Sequence, residues 1–206
     1  MTVTIDSFPW LKFSPPGMAY EVIPEVYPSL LEMMEEGFTK YASKPAYACM
    51  GKQISYAQLD KMSNDFAAYL QYIGLKKGDR IAIQMPNVLQ YPVAMFGALR
   101  AGLTIVNTNP LYTPREMEHQ FKDSGAKAIV ILANFADKLE KVLPTTQIQH
   151  VFVTQIGDML GFPKKQIVNF VVKNVKKMVP PYHLPKAVSF MDAVEETKDD
   201  DSNKEN

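Results

Sequence analysis

Four short apolar segments, evenly spaced by helix-length stretches between residues 80 and 154, constrain this chain more than any other feature. Residues 80–85 (RIAIQM), 104–108 (TIVNT), 128–132 (AIVIL) and 150–154 (HVFVT) read as strands. The stretches between them, 87–100, 114–124 and 134–142, read as helices. Strand, helix and strand repeated with links this short predict an α/β fold, a doubly wound, mostly parallel sheet flanked by helices. The segment 128–132 has no polar alternation, so it is expected to be buried on both faces.

Local signals set the boundaries. Ser29 with Glu32, Ser55 with Gln58, and Thr113 with Glu116 are three capping boxes, the last with Pro114 at the first helical position. They predict helices from 29 to about 42, from 55 to Gly74, and from 113 to Gly125. Strands at 46–50 and 53–55 around Gly51-Lys52 predict a short N-terminal hairpin. Residues 1–28 interleave five prolines with aromatic residues and are expected to be irregular and non-helical, their aromatics free to dock on the domain. Residues 29–194 read as one α/β unit. Within it, 157–187 form an insertion carrying an amphipathic helix over 166–179, and Ser189 opens a last short helix. Asn134 is expected to cap the helix that follows the 128–132 strand. Residues 195–206 carry no apolar side chain and read as an acidic linker or tail.

Several function classes are excluded by composition. Lysine plus arginine balance aspartate plus glutamate at 22 each, so no global field draws the chain to nucleic acid. One cysteine, Cys49, forbids an intrachain disulfide and suits a reducing cytoplasm. No apolar run approaches the roughly 20 residues that a membrane-spanning helix needs, so any membrane contact is expected to be peripheral. His119, His150 and His183 lie far apart without cysteine or paired carboxylates at ligand spacing, which gives no metal site. No serine sits in a nucleophile elbow, and no residue is singled out as catalytic.

The stretch 74–131 carries KKGDRIAI, MPN, LQYPVA, LRAG and NPLYTPRE, and 169–185 reads NFVVKNVKKMVPPYHLP. Together these resemble the acyl-CoA synthetases of the adenylate-forming superfamily, most closely the bacterial long-chain fatty-acid–CoA ligases, over residues 20–194. The resemblance implies a cytoplasmic acid–thiol ligase. Fatty acid and ATP, with magnesium, would give an acyl-adenylate and diphosphate; coenzyme A would then displace AMP. The family grips ATP with a loop of the form Y-T-G-G-T-T-G, whose bare backbone amides approach the phosphates closely. Here no two of the ten glycines lie closer than four positions apart. The chain is therefore expected to be the N-terminal portion of such a ligase, inactive alone, with no cofactor bound tightly. Two other readings stay open: a stand-alone α/β module binding an acyl chain or nucleotide, and an interaction domain forming a homodimer through residues 1–40.

Two constellations remain as candidate sites. The loop Asn109, Pro110, Leu111 and Tyr112 joins a strand end to a helix start, where parallel sheets bind ligands and the helix dipole favours anions. Relatives of the acetate type contact coenzyme A there, but with glycines, so plain turn chemistry is the alternative. Lys138, in the next helix, is a candidate for a coenzyme A phosphate. On the inserted helix, Lys165, Asn169, Lys173, Lys176 and Lys177 fall opposite Ile167, Val168, Val171, Val172, Val175, Met178 and Val179. Such a lysine face suits the anionic inner face of the cytoplasmic membrane, from which a fatty acid would arrive. The alternative is an ordinary surface helix packing its apolar side on the domain. Tyr91, Met95 and Phe96 are expected to be helix core rather than tunnel lining.

Overall fold

A computed structural model describes residues 9–18 and 27–195. Its centre is a five-stranded, wholly parallel sheet with the order β4-β3-β5-β6-β7, made of β3 (Arg80–Gln84), β4 (Thr104–Asn107), β5 (Ala128–Leu132), β6 (His150–Thr154) and β7 (Val188–Ser189). The expected α/β architecture is therefore the observed one. Alternation along the strands builds two cores. Ile81 and Ile83 point with Ala128, Val130, Leu132 and Phe152 to one face, under α1 (Leu30–Lys40), α2 (Tyr56–Tyr72), α3 (Gln90–Arg100) and α7 (Phe190–Glu195). Ala82, Ile129, Ile131 and Val151 point to the other, under α4 (Pro114–Ser124) and α5 (Ala136–Val142). Every residue of β5 is buried, as its unbroken apolar run requires.

Caps fix the helices. The Ser55–Gln58 and Thr113–Glu116 boxes close in both directions, and Ser29 Oγ accepts from the Glu32 amide at 3.1 Å. The hairpin pairs β1 (Pro45–Cys49) with β2 (Lys52–Ser55), and its turn falls on Met50-Gly51, one residue earlier than expected. Both have positive φ, at 49° and 77°, which is the geometry whose twist matches two antiparallel strands.

Three expectations are corrected. Helix α3 starts at Gln90, not at 87, because nothing caps it from Asn87; its N-cap Leu89 offers no side-chain bond. Asn134 caps no helix. It sits in a 3-10 turn, Ala133–Phe135, and its Nδ2 donates to the Met178 carbonyl at 3.0 Å. Residues Pro9–Phe13, within the segment read as non-helical, form one 3-10 turn. The remainder of the acidic tail, 196–206, lies outside the described residues, as do 1–8 and 19–26 of the N-terminal segment.

Asp79 ties the sheet's entry edge together. It accepts from the Lys76 amide at 3.0 Å and from Lys127 Nζ at 2.7 Å, bracing the starts of β3 and β5. The lysine first, then the amide, hold its carboxyl below the usual carboxylate value. A depressed folded value means stability that is present at neutral pH and lost as pH falls through that value. Asp79→Asn is accordingly expected to lower the urea midpoint at pH 7. The gap from wild type should close as the solution is acidified below the carboxylate range; a gap independent of pH would refute the ion pair as its cause.

Candidate functional site

The sheet reverses its order at β3. Its two neighbours, β4 and β5, are the next two strands in the chain, so one connection leaves to each side. In parallel sheets the crevice beyond the carboxyl ends at such a point is where ligands sit. Here that crevice is polar. Ile83, Met85, Asn87, Tyr91, Asn107 and Asn109 help to line a cavity of 290 Å³, and the Tyr91 hydroxyl donates to Asn107 Oδ1 at 2.8 Å. Tyr91, Met95 and Phe96 all pack against the core, as expected, and Tyr91 also lines the crevice with its hydroxyl. Gln84, fully buried, donates through Nε2 to the Asn109 carbonyl at 3.2 Å, and its Oε1 has no partner among the described residues.

The loop after β4 is shaped by its own side chains. Asn109 Oδ1 accepts from the Leu111 amide at 2.9 Å, and the Asn109 carbonyl accepts from the Tyr112 amide at 3.1 Å. Leu111 projects outward, 78% exposed, while Tyr112 packs on the α4/α5 core. Lys138, distant in sequence, reaches this loop: Nζ donates to the Tyr112 carbonyl at 2.8 Å and lies over the Phe135 ring. All five residues singled out from the sequence at this end are therefore one local constellation. The turn reading also holds, since Asn109 does build an Asx turn.

The dipole argument for an anion at α4 is weakened by the helix's own cap. Glu116 Oε2 accepts from the Thr113 amide and hydroxyl, both at 2.7 Å. Those bonds hold the Glu116 carboxyl below its usual value, and Lys138 adds a smaller pull. A carboxylate already occupies the helix start, so the positive group that reaches the loop is Lys138 rather than the α4 terminus.

The inserted helix differs most from expectation. It runs as α6 (Lys164–Phe170) and continues as one wide π turn, Val171–Val175; Lys177, at φ 50°, ends it ahead of Pro180. The half-buried stripe is Lys165, Val168, Asn169, Val171 and Val172, so a lysine and an asparagine from the expected polar side join three of the valines in facing the domain. Asn169 explains the rotation. Its Oδ1 accepts from the Gly157 amide at 2.8 Å, and its Nδ2 donates to Asp158 at 2.9 Å. Asp158 in turn accepts from Thr154 and the Gln155 amide, and buried Gln90 binds both residues. Binary patterning could not see this polar latch. Lys173, Lys176 and Lys177 are exposed, as a lysine face requires.

A Cβ on Gly157 would meet Asn169 Oδ1 at 2.6 Å, so that glycine admits a side chain of the chain itself, not a phosphate. No group of three or more His, Cys, Asp or Glu side chains is placed for a metal ion among the described residues. Likewise, among them no helix is long and apolar enough to cross a membrane.

Comparison with known proteins now decides the family. A family model for AMP-binding enzymes matches residues 34–202. The chain belongs to the AMP-binding enzyme family. Within it, the chain is 54% identical over 187 residues to a long-chain-fatty-acid–CoA ligase of Salmonella typhimurium, covering 90% of this chain and 33% of that protein. A Bacillus subtilis ligase of the same description is 32% identical over 156 residues, 76% of this chain and 28% of its own length. The match is to the N-terminal part of such ligases, and the chain spans about a third of their length. Among solved structures, an anthranilate–CoA ligase superposes with a TM-score of 0.65 at 16% identity, over 83% of this chain and 28% of its own. A long-chain-fatty-acid–CoA ligase of Archaeoglobus fulgidus gives 0.57 at 23% identity, over 61% and 27%. These two likenesses establish the fold.

Proposed function

We propose that this chain is the N-terminal α/β portion of a long-chain fatty-acid–CoA ligase. The whole ligase would join a fatty acid to coenzyme A, using ATP and magnesium and releasing AMP and diphosphate. It would act in the cytoplasm, at the inner face of the membrane that supplies its substrate. The observation that carries the reading is the 54% identity over 187 residues to ligases of that description. In this role the chain does not grip ATP. Its contribution is a wall of the coenzyme A site, the loop Asn109–Pro110–Leu111–Tyr112 with Lys138 beside it. The hydrogen bond of Lys138 goes to a neutral carbonyl oxygen, so a phosphate oxygen is a stronger partner for its ammonium group. For a dimer contact through residues 1–40, the support within the described residues is a set of exposed apolar side chains, among them Phe13, Met18, Leu30 and Met33.

A graft tests this. Residues 34–194 replace the matching third of the Salmonella typhimurium ligase, and oleoyl-CoA formation is followed. Full turnover is expected, whereas the 206-residue chain alone is expected to form no thioester. A folded graft without activity would refute the reading. In that graft, Lys138→Ala is expected to raise KM for coenzyme A about tenfold with kcat nearly unchanged, the pattern of a lost binding contact. Equal KM values would remove Lys138 from the site.

A further inference from the structure

The inserted segment presents to solvent what a folded domain ordinarily hides. Phe162 is 88% exposed, Phe170 60% and Val175 64%, and Ile167 and Met178 are more than half exposed. Helix α6 cannot turn these residues inward, because Asn169, Val168 and Lys165 already occupy its inner stripe and Asn169 is latched to Gly157 and Asp158. Its carboxyl end is held separately: Asn134 binds the Met178 carbonyl, and Glu140 Oε2 accepts from the His183 amide at 2.9 Å. The outward apolar ridge is thus a fixed feature of the fold.

Charge says what the ridge meets. Between Asp158 and Asp192 the sequence holds six lysines and no aspartate or glutamate, in a chain whose basic and acidic residues, 22 each, balance only as a whole. Five of the six are exposed and flank the ridge or follow it: Lys164, Lys173, Lys176, Lys177 and Lys186. Sixth is Lys165, half-buried beside Gln155, Asp158 and Tyr182. Exposed phenylalanine and aliphatic side chains ringed by lysine, without arginine and without any acid, match the boundary of an anionic bilayer. There the apolar groups enter the acyl region and the ammonium groups meet lipid phosphates.

We infer that residues 162–178 form a docking face for an anionic lipid surface, inserting Phe162 and Phe170 and pairing Lys173, Lys176 and Lys177 with headgroups. The inference gives a structural address to the membrane contact proposed above. It differs from the sequence-based membrane reading in two respects: of the seven apolar residues on that helix only Ile167, Val175 and Met178 face outward, joined by Phe162 and Phe170, and Lys165 takes no part.

The test is sedimentation of the 206-residue chain with phosphatidylcholine vesicles, with and without about a third phosphatidylglycerol. Binding is expected only to the anionic vesicles and is expected to fall steeply with added salt. Changing Lys173, Lys176 and Lys177 together to glutamate should weaken it at least about 100-fold, from roughly a fivefold loss per lysine. The double variant Phe162→Ser, Phe170→Ser should weaken it about tenfold or more at every salt concentration, without moving the urea midpoint, since both rings are exposed. Lys165→Gln should leave binding within about twofold. No binding by the wild type, retained binding by the triple glutamate variant, or an equal loss with Lys165→Gln would each overturn the inference. So would self-association abolished by the double serine variant while vesicle binding persists, because the ridge would then cover a second copy. Vesicle binding requires no turnover, so its failure would leave the ligase reading standing, and an inactive graft would leave the docking face standing.

Discussion

Phe66→Ala is expected to lower the stability of this chain by about 3–5 kcal/mol, measured as a fall in urea midpoint at unchanged slope. Phe66 is fully buried on α2 and joins three elements remote in sequence. Its ring meets Phe152 of β6 edge-on at 5.4 Å and Phe190 of α7 at 4.9 Å. From α3, Gly97 presses so close that a Cβ there would lie 2.7 Å from Phe66 Cδ1. Truncation to alanine removes the transfer free energy of the ring and two edge contacts, and leaves a void walled by three elements that cannot collapse together. Tyr72 is the control, on the same helix but 83% exposed; Tyr72→Ala is expected to stay within about 0.5 kcal/mol. If Phe66→Ala cost no more than Tyr72→Ala, the packing of α7 and β6 against α2 would be wrong.

How far the sequence could be read depended on whether the determining interaction was local. Capping boxes are local: three residues separate the partners, and Ser55, Thr113 and Ser29 each start a helix where their spacing places it. The buried strand AIVIL is equally legible, because burial on two faces leaves no place for a polar residue. Lys138 and the 109–112 loop were both marked from the sequence, yet their contact spans 26 positions and only the sheet topology brings them together. Asn134 and Asn169 were misread for one reason. Each is an amide whose partner lies in another element, Met178 for one, Gly157 and Asp158 for the other. Helical periodicity sorts residues by polarity and so places Asn169 on the outer face, but a half-buried amide whose oxygen and nitrogen both find partners in the domain reverses that choice.

That latch supports the second large effect, on the inserted segment rather than the whole fold. Gly157→Val is expected to lift α6 off the turn that follows β6. A Cβ at this position would stand 2.9 Å from the Lys165 carbonyl oxygen, which is backbone and cannot rotate aside, as well as 2.6 Å from Asn169 Oδ1. Overpacking of this kind costs about 1–3 kcal/mol. Lifting the helix also breaks the Asn169 bonds to Gly157 and Asp158 at 2.8 and 2.9 Å, leaving Asp158 with Thr154 and the Gln155 amide alone. The sheet does not depend on these contacts, because its cores lie beneath α2, α3, α4, α5 and α7. The expected result is therefore local. Amides of residues 164–175 should exchange at least about tenfold faster and trypsin should cut sooner at Lys164, Lys173 and Lys176, while protection of β5 changes little. Asn169→Ala relieves half of the clash, so the double variant should cost less than the sum of the two single changes. Additive costs, or uniform loss of protection through β5, would show that the insertion is part of the core and not a latched attachment.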